Sequence, residues 1–164
     1  MIKLATLIGL SLLALGLSAC GFTPLYGNPT IAGTLAAVEV MAPQGRAGAL
    51  VREHLDDALA RDSRLAAKYR LALKLSEQRF PRGVRIDNVA TRYEYVLLAD
   101  YVLMSLPSER PAKTGRVRVE VTYDSADQPY ASVAAEQDAQ NRAAAEAARK
   151  IELDLATWLA ATRS

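Results

Sequence analysis

The chain has 164 residues, and its acidic and basic residues nearly balance, leaving a formal net charge of +2. Because nucleic-acid binding needs a concentrated positive field, this balance gives no reason to expect a nucleic-acid partner. With one cysteine and one histidine, the chain can form no internal disulfide and cannot supply a metal site built from several such ligands. Its length suits a single compact domain.

The first twenty residues have the three parts of a secretory signal peptide: a positive charge, an apolar run, and small residues before a cysteine. The run is too short for a membrane-spanning helix, which needs ~20 apolar residues, and it lacks the polar face of a helix in a soluble core. Leu17-Ser18-Ala19-Cys20 resembles the lipobox of bacterial lipoproteins. We therefore expect residues 1–19 to be removed as a signal peptide.

Cys20 is then expected to become the lipid-modified N-terminus. The alternative, a small buried cysteine that happens to follow a signal peptide, is disfavoured because this single cysteine stands at the expected cleavage site. Two or more acyl chains hold a protein stably at a membrane without any spanning segment. Gly21 follows instead of the Asp that tends to retain lipoproteins at the inner membrane. The expected location is therefore the outer membrane, on its periplasmic side.

The segment after the cysteine predicts a lipidated tether followed by one domain. Residues 20–33 are rich in Gly and Pro, reach at most ~45 Å when stretched, and are expected to leave the core wholly beyond Gly33. The domain would then comprise residues 34–164. Within it, residues 35–41 predict a first strand, and apolar residues at helical spacing over residues 46–63 predict a helix.

Alternation of apolar and polar side chains predicts three further strands, at residues 69–76, 89–104 and 116–124. The last two are expected to form an antiparallel hairpin with a long loop that contains residues 107–115. An alanine-rich segment from about Ser132 onward then predicts one long helix.

The order strand, helix, three strands, helix predicts an α+β fold. It would be a four-stranded, mostly antiparallel sheet with two helices packed on one face. The other face of the longest strand also carries the apolar side chains of Val96, Leu98, Val102 and Met104. An exposed apolar face of this kind usually has a partner, but a loop or the tether could also cover it. The sequence does not decide between the two.

No catalytic constellation stands out in the sequence. His54 lies beside acidic residues, but their order differs from the His-Glu-x-x-His arrangement of a zinc helix. The chain has neither a Gly-x-Ser-x-Gly elbow nor a glycine-rich phosphate loop. We expect a non-enzymatic protein whose only bound groups are the acyl chains on Cys20.

Arginines concentrate where the longest strand begins and on the strand after it: Arg82, Arg85, Arg92, Arg116 and Arg118. If they share the sheet face that carries the apolar side chains, they form a basic rim around it. Since Arg pairs bidentately with phosphate oxygens, such a rim could hold an anionic lipid headgroup. The alternative is a solvated face with ordinary edge-strand charges, and the nearby acidic residues favour that interpretation.

The N-terminal run Cys-Gly-Phe-Thr-Pro-Leu-Tyr-Gly, at residues 20–27, is similar to the mature start of the lipopolysaccharide-assembly lipoprotein family LptE in its alphaproteobacterial form. The Tyr-Ala-Ser run at residues 130–132 and the opening of the last helix at residues 135–143 agree with that family. The resemblance implies a non-enzymatic protein that sits inside an outer-membrane β-barrel, LptD, helps the barrel assemble, plugs it and binds lipopolysaccharide. It assigns no individual lipid-binding residue, so the five arginines are candidates from their pattern alone.

Two other classes compete with this interpretation. A periplasmic lipid-binding lipoprotein serving an ABC-type phospholipid transporter would have a similar small α+β body, but its mature start differs from residues 22–26 here. A lipid-anchored hydrolase is disfavoured because the sequence shows no nucleophile and base pair.

Overall fold

The computed structural model describes residues 29–84, 90–125 and 128–162. The predicted signal peptide, Cys20 and Arg85 lie outside these residues. The elements in chain order are α1 (Pro29–Leu35), β1 (Val38–Met41), α2 (Arg46–Ala58), β2 (Tyr69–Val84), β3 (Ala90–Ser105), β4 (Arg110–Asp124) and α3 (Pro129–Thr162).

The four strands form one sheet in the order β1-β2-β3-β4. β2, β3 and β4 are an antiparallel meander, and β1 pairs in parallel with the first residues of β2, 69–72. The parallel pair is joined through α2, as parallel strands require a crossover connection. The predicted α+β fold with a mostly antiparallel sheet is confirmed.

The helices cover one face of the sheet, here called the inner face. Alternate β3 side chains point to this face because side chains of a strand alternate between its two sides. They are buried: Tyr95, Leu97, Ala99, Tyr101 and Leu103. α3 meets them with a buried stripe that contains Ala139, Ala143, Ala147, Ile151 and Leu155. The alanines leave room for a close approach, and α2 packs against α3.

The core begins earlier in the chain than the sequence predicted. Residues 29–35 form the short helix α1, and Ile31 and Leu35 belong to the buried core with only 4% and 3% of their surface exposed. The expectation that the core lies wholly beyond Gly33 is therefore wrong. Pro29 occupies the first turn of the helix, where proline is tolerated, and the i, i+4 spacing of the two apolar residues gives the helix one buried side.

Three strand boundaries also differ from prediction. β1 begins at Val38 instead of residue 35, because Leu35 ends the helix α1. The second predicted strand ends at residue 76, whereas β2 continues through the Pro81-Arg82-Gly83 run, where the register shifts at a bulge. β4 begins at Arg110, so a four-residue connection at 106–109 replaces the long loop over residues 107–115. Proline is tolerated at bulges and on edge strands, where a missing N–H need not break the ladder.

No helix among the described residues is long and apolar enough to cross a membrane.

Candidate functional site on the outer face of the sheet

The sheet face that is turned away from the helices, here called the outer face, carries the apolar column that the sequence predicted. Val96, Leu98, Val102 and Met104 alternate with the inward-facing core residues of β3 and share this face. Val96 is fully buried, and the other three are partly buried. The outer face is therefore an apolar column at the centre of the sheet, bordered by polar side chains from β2 and β4.

Two of the candidate arginines lie beside the middle of this column on β4. Arg116 stands opposite Asp100 and bonds it, with 2.5 Å between Nε and Oδ1. Arg118 bonds Glu120 on its own strand, also at 2.5 Å. The hydrogen bonds from these guanidinium groups hold the pKa of both carboxyls below its ordinary value.

Two more candidate arginines lie near the far end of the sheet, where β2 and β3 approach their connection. Arg92 Nε donates to Asp124 Oδ1 over 2.8 Å, and this bond lowers the pKa of Asp124. Arg82 pairs with the largely buried Glu94, and its guanidinium carbon lies 5.7 Å from the centre of the Phe80 ring.

These pairs leave the outer face close to electrically neutral. Each of the four described candidate arginines contacts a carboxylate, so their formal charges cancel. Along β3, Arg92 and the partner of Arg116 are eight residues apart, or ~27 Å. The structure thus shows a row of ion pairs along this face where the sequence suggested one basic rim, and Glu120, the partner of Arg118, also interacts with Glu94 and Arg82. Contact between any of these arginines and lipopolysaccharide stays a prediction.

A shallow depression of about 640 Å³ lies between the apolar column and the edges of the sheet. Its surface includes the small side chains of Ala72, Val102 and Thr114, with Lys74 and Arg116 at its border. Lys74 is exposed and makes no ion pair within 4 Å to another described residue. Its ammonium group also interacts electrostatically with Asp100, whose pKa it helps to lower. An apolar floor beside an exposed ammonium group suits a ligand or partner that is apolar with an acidic group.

A polar cluster between the inner face and the start of α3 was missed by sequence reasoning. Arg79 bonds Glu136 over 2.8 Å and lies 5.1 Å above the ring of Tyr93, which stacks on Tyr123. Arg79 lies beyond the strand predicted at residues 69–76, yet it continues the inward alternation of β2. The signal that could have found it is this unbroken alternation beyond residue 76.

A second polar contact fastens the other half of α3. The hydroxyl of Tyr101 donates to Asp154, and Lys113 Nζ lies 3.0 Å from the same carboxylate. Burial raises the pKa of Tyr101, so its hydroxyl stays a donor at neutral pH. Both contacts position the long helix on the sheet.

His54 takes part in helix packing. Its Nε2 lies 2.8 Å from Asn141 Oδ1, which joins α2 to α3. Within residues 29–84, 90–125 and 128–162, no group of three or more His, Cys, Asp or Glu residues could hold a metal ion.

The fold and its open outer face define a two-layer α+β protein with one sheet face available for contacts. Residues 34–155 match the family model LptE, described as lipopolysaccharide-assembly, and the chain belongs to this family. Proteins of this family are non-enzymatic, and the chain is an LptE-family lipoprotein involved in lipopolysaccharide assembly. The resemblance seen in the sequence and the expectation of a non-enzymatic protein are confirmed.

Solved structures agree with this assignment. A lipoprotein from Caulobacter crescentus is 54% identical, with a TM-score of 0.72, and the match covers 81% of this chain and 97% of that one. The fold is shared with a minor lipoprotein from Acinetobacter baumannii (11% identity, TM-score 0.53, 73% and 88% covered). It is also shared with lipoprotein B from Nitrosomonas europaea (13% identity, TM-score 0.51, 74% and 85% covered). No curated protein matches the sequence.

Proposed function

We propose that this chain is anchored in the outer membrane through Cys20, assembles with and plugs the LptD β-barrel, and takes part in lipopolysaccharide transport to the cell surface. Family membership supports the lipopolysaccharide-assembly part of this role. The observation that carries the barrel part is the outer face, whose apolar column is partly exposed at Leu98, Val102 and Met104 while helices occupy the opposite face.

The position of α1 supports work close to a membrane. Because α1 begins at Pro29, eight residues (21–28) separate it from the acylated cysteine, and they reach ~30 Å at full extension. A domain with so short a connection stays beside the bilayer that holds its anchor. A partner embedded in that bilayer is therefore within its reach.

The chemistry of the outer face suits the inside of a barrel. The lumen of a barrel is polar and contains water. The exposed arginine–carboxylate pairs of this face would therefore keep their hydration inside it. The apolar column and the depression beside Val102 offer drier contacts to the barrel wall or to lipid acyl chains. We assign Arg82 and Arg92, at the far end of the sheet, as the first candidates for the phosphates of lipopolysaccharide. Arg116 and Arg118 and the undescribed Arg85 are the remaining candidates.

Purification of the tagged, lipidated protein from outer membranes in mild detergent tests the barrel proposal. We expect LptD to co-purify with the wild-type chain. Val102→Lys on the outer face should reduce the recovered barrel at least tenfold, because a charge would then be buried against it. Leu153→Lys is the matched control, since Leu153 is 52% exposed on α3 and this change should leave recovery unaltered.

Recovery of the free lipoprotein alone from wild-type membranes would contradict the proposal. Recovery of an inner-membrane transporter in place of the barrel would favour the alternative role in phospholipid transport.

A further inference from the structure

β2 is paired along only part of one side. β1 ends at Met41, opposite Ala72, whereas β2 continues to Val84. Over residues 73–80, no described strand lies on the side of β2 away from β3. Nor do these residues make a main-chain hydrogen bond to any described residue outside the β3 ladder. About eight residues, or ~27 Å of strand, thus present a free edge.

This free edge has the chemistry of a strand-pairing site. Along an edge strand, every second residue directs both its N–H and its C=O away from the sheet. On the inner side of the same stretch, Leu73 and Leu75 are half-buried and pack against the core. A strand added here would satisfy the main-chain groups and extend the core at the same time.

The opposite edge of the sheet is partly closed. Lys150 on α3 donates from Nζ to the main-chain oxygen of Arg118 on β4, over 3.3 Å, and α3 packs against that strand. The free stretch of β2 is also limited in length, because the register shifts between Pro81 and Gly83. Such a bulge and an edge lysine restrict indiscriminate pairing between strands. The free edge of β2 therefore has a limited length, which suits a binding site for one specific strand.

We propose that residues 73–80 are a docking edge that accepts one extended strand from the partner barrel protein, in line with β1 and beyond its end. The identity of the partner rests on the proposed function. Charge defines the strand further: Lys74 faces Asp100 in register, but Asp100 is already bonded by Arg116. The incoming strand carries a carboxylate opposite Lys74 and apolar side chains beside Leu73 and Leu75.

Residue-resolved amide hydrogen exchange, measured on the free protein and on the complex in mild detergent, tests the docking edge. In the free protein, amides of residues 73–80 should alternate between slow exchange, for those bonded to β3, and fast exchange, for those at the edge. In the complex, the fast amides should slow at least tenfold, while amides of the β4 edge at residues 117–123 change little.

If the fast amides of residues 73–80 still exchange fast in the complex, the docking edge is overturned. A partner that contacts only side chains would leave these outward amides exposed to solvent. Full protection in the free protein at every concentration would assign the edge to this chain's own N-terminal segment. Protection that disappears on dilution would assign it to a second copy. Either result would overturn the partner strand.

Lys74→Glu tests the charge match, with Lys68→Glu as the control at another exposed lysine. We expect barrel recovery to fall at least tenfold for the first variant and to stay unchanged for the second. Equal recovery in both would overturn the acidic partner residue. Absence of the barrel from wild-type preparations would count against the proposed function, whereas a recovered barrel with unprotected edge amides would count only against the docking edge.

Discussion

At Gly115 the side chain of a neighbouring residue fills the space that a Cβ atom would need. An added methyl group would overlap the hydroxyl and ring of Tyr101, with Cε1 at 2.7 Å. The ring cannot move away easily, because its hydroxyl is bonded to Asp154 and the side chain is buried in the core. Glycine is therefore required here because the Tyr101 side chain of β3 packs directly against β4 at this position.

Gly115→Ala should lower the free energy of unfolding by about 1–3 kcal/mol, the usual effect of overpacking a core. Gly33→Ala is the control, since no atom lies within 4 Å of a Cβ atom built there. As Gly33 is helical, this change should raise stability by about 0.5–1 kcal/mol. Urea unfolding followed by circular dichroism measures both, and equal stability of the two variants would contradict the packing argument.

The ion pair between Arg92 and Asp124 means that a lipid phosphate must compete with a carboxylate to bind Arg92. Because the guanidinium already bonds a carboxylate, a phosphate has to displace that partner. Asp124→Asn should therefore strengthen binding to lipopolysaccharide vesicles about threefold or more. Arg92→Glu should weaken binding, most strongly at low salt, where charges are least screened. Co-sedimentation measures both affinities, and equal binding by the two variants would remove Arg92 from the candidates.

Among the elements, α1 is the one whose contribution to the buried core was not predicted from the sequence. Its seven residues include one proline, one glycine and two threonines and follow a segment that resembles a linker, yet Ile31 is 4% exposed. Ile31→Ala should cost about 2–5 kcal/mol of folding free energy, as truncation of a buried side chain does. Met41→Ala removes a similar volume at a site that is 51% exposed, and it should cost well under half as much. Thermal unfolding of both variants checks this prediction, and equal losses would show that α1 is not part of the cooperative core.

Periodicity predicted the remaining elements because each buries one side. Alternation identified β2, β3 and β4, and the i, i+3, i+4 stripe identified α2 and α3. Strand ends were not predictable from local signals: Pro81 and Gly83 indicate a turn, but pairing with β3 carries the strand past them. Likewise, Pro111 lies within β4 because that strand is at the edge of the sheet.

The surface was less predictable than the core. Arg92, Arg116 and Arg118 share the outer face with the apolar column, which the sequence pattern had left as a condition. Their carboxylate partners could not be predicted, because the pairing depends on register. Arg116 meets Asp100 across two strands, sixteen residues away in the chain. A one-residue slip in register would have moved one of these two side chains to the other face.

As a whole, the molecule has two distinct ends. At one end, Tyr69 packs edge-on against Trp158, and the main chain after α1 bonds Lys68. At the other end, Ser125 bonds Ser132, and the nearby Tyr130 is 92% exposed. α3 connects the two ends over 34 residues, or ~51 Å. The main chain after α1 therefore lies at one end of the domain, and Arg82 and Arg92 lie toward the other.

The matched charges of the outer face also determine how the protein meets other molecules. Four arginines set against four carboxylates produce a field that decays within a few ångströms, so an anionic surface exerts little pull before contact. The frequency of collisions with such a surface should then depend on diffusion and hardly on ionic strength. Selectivity arises only at contact, when an incoming group competes with a carboxylate already in place.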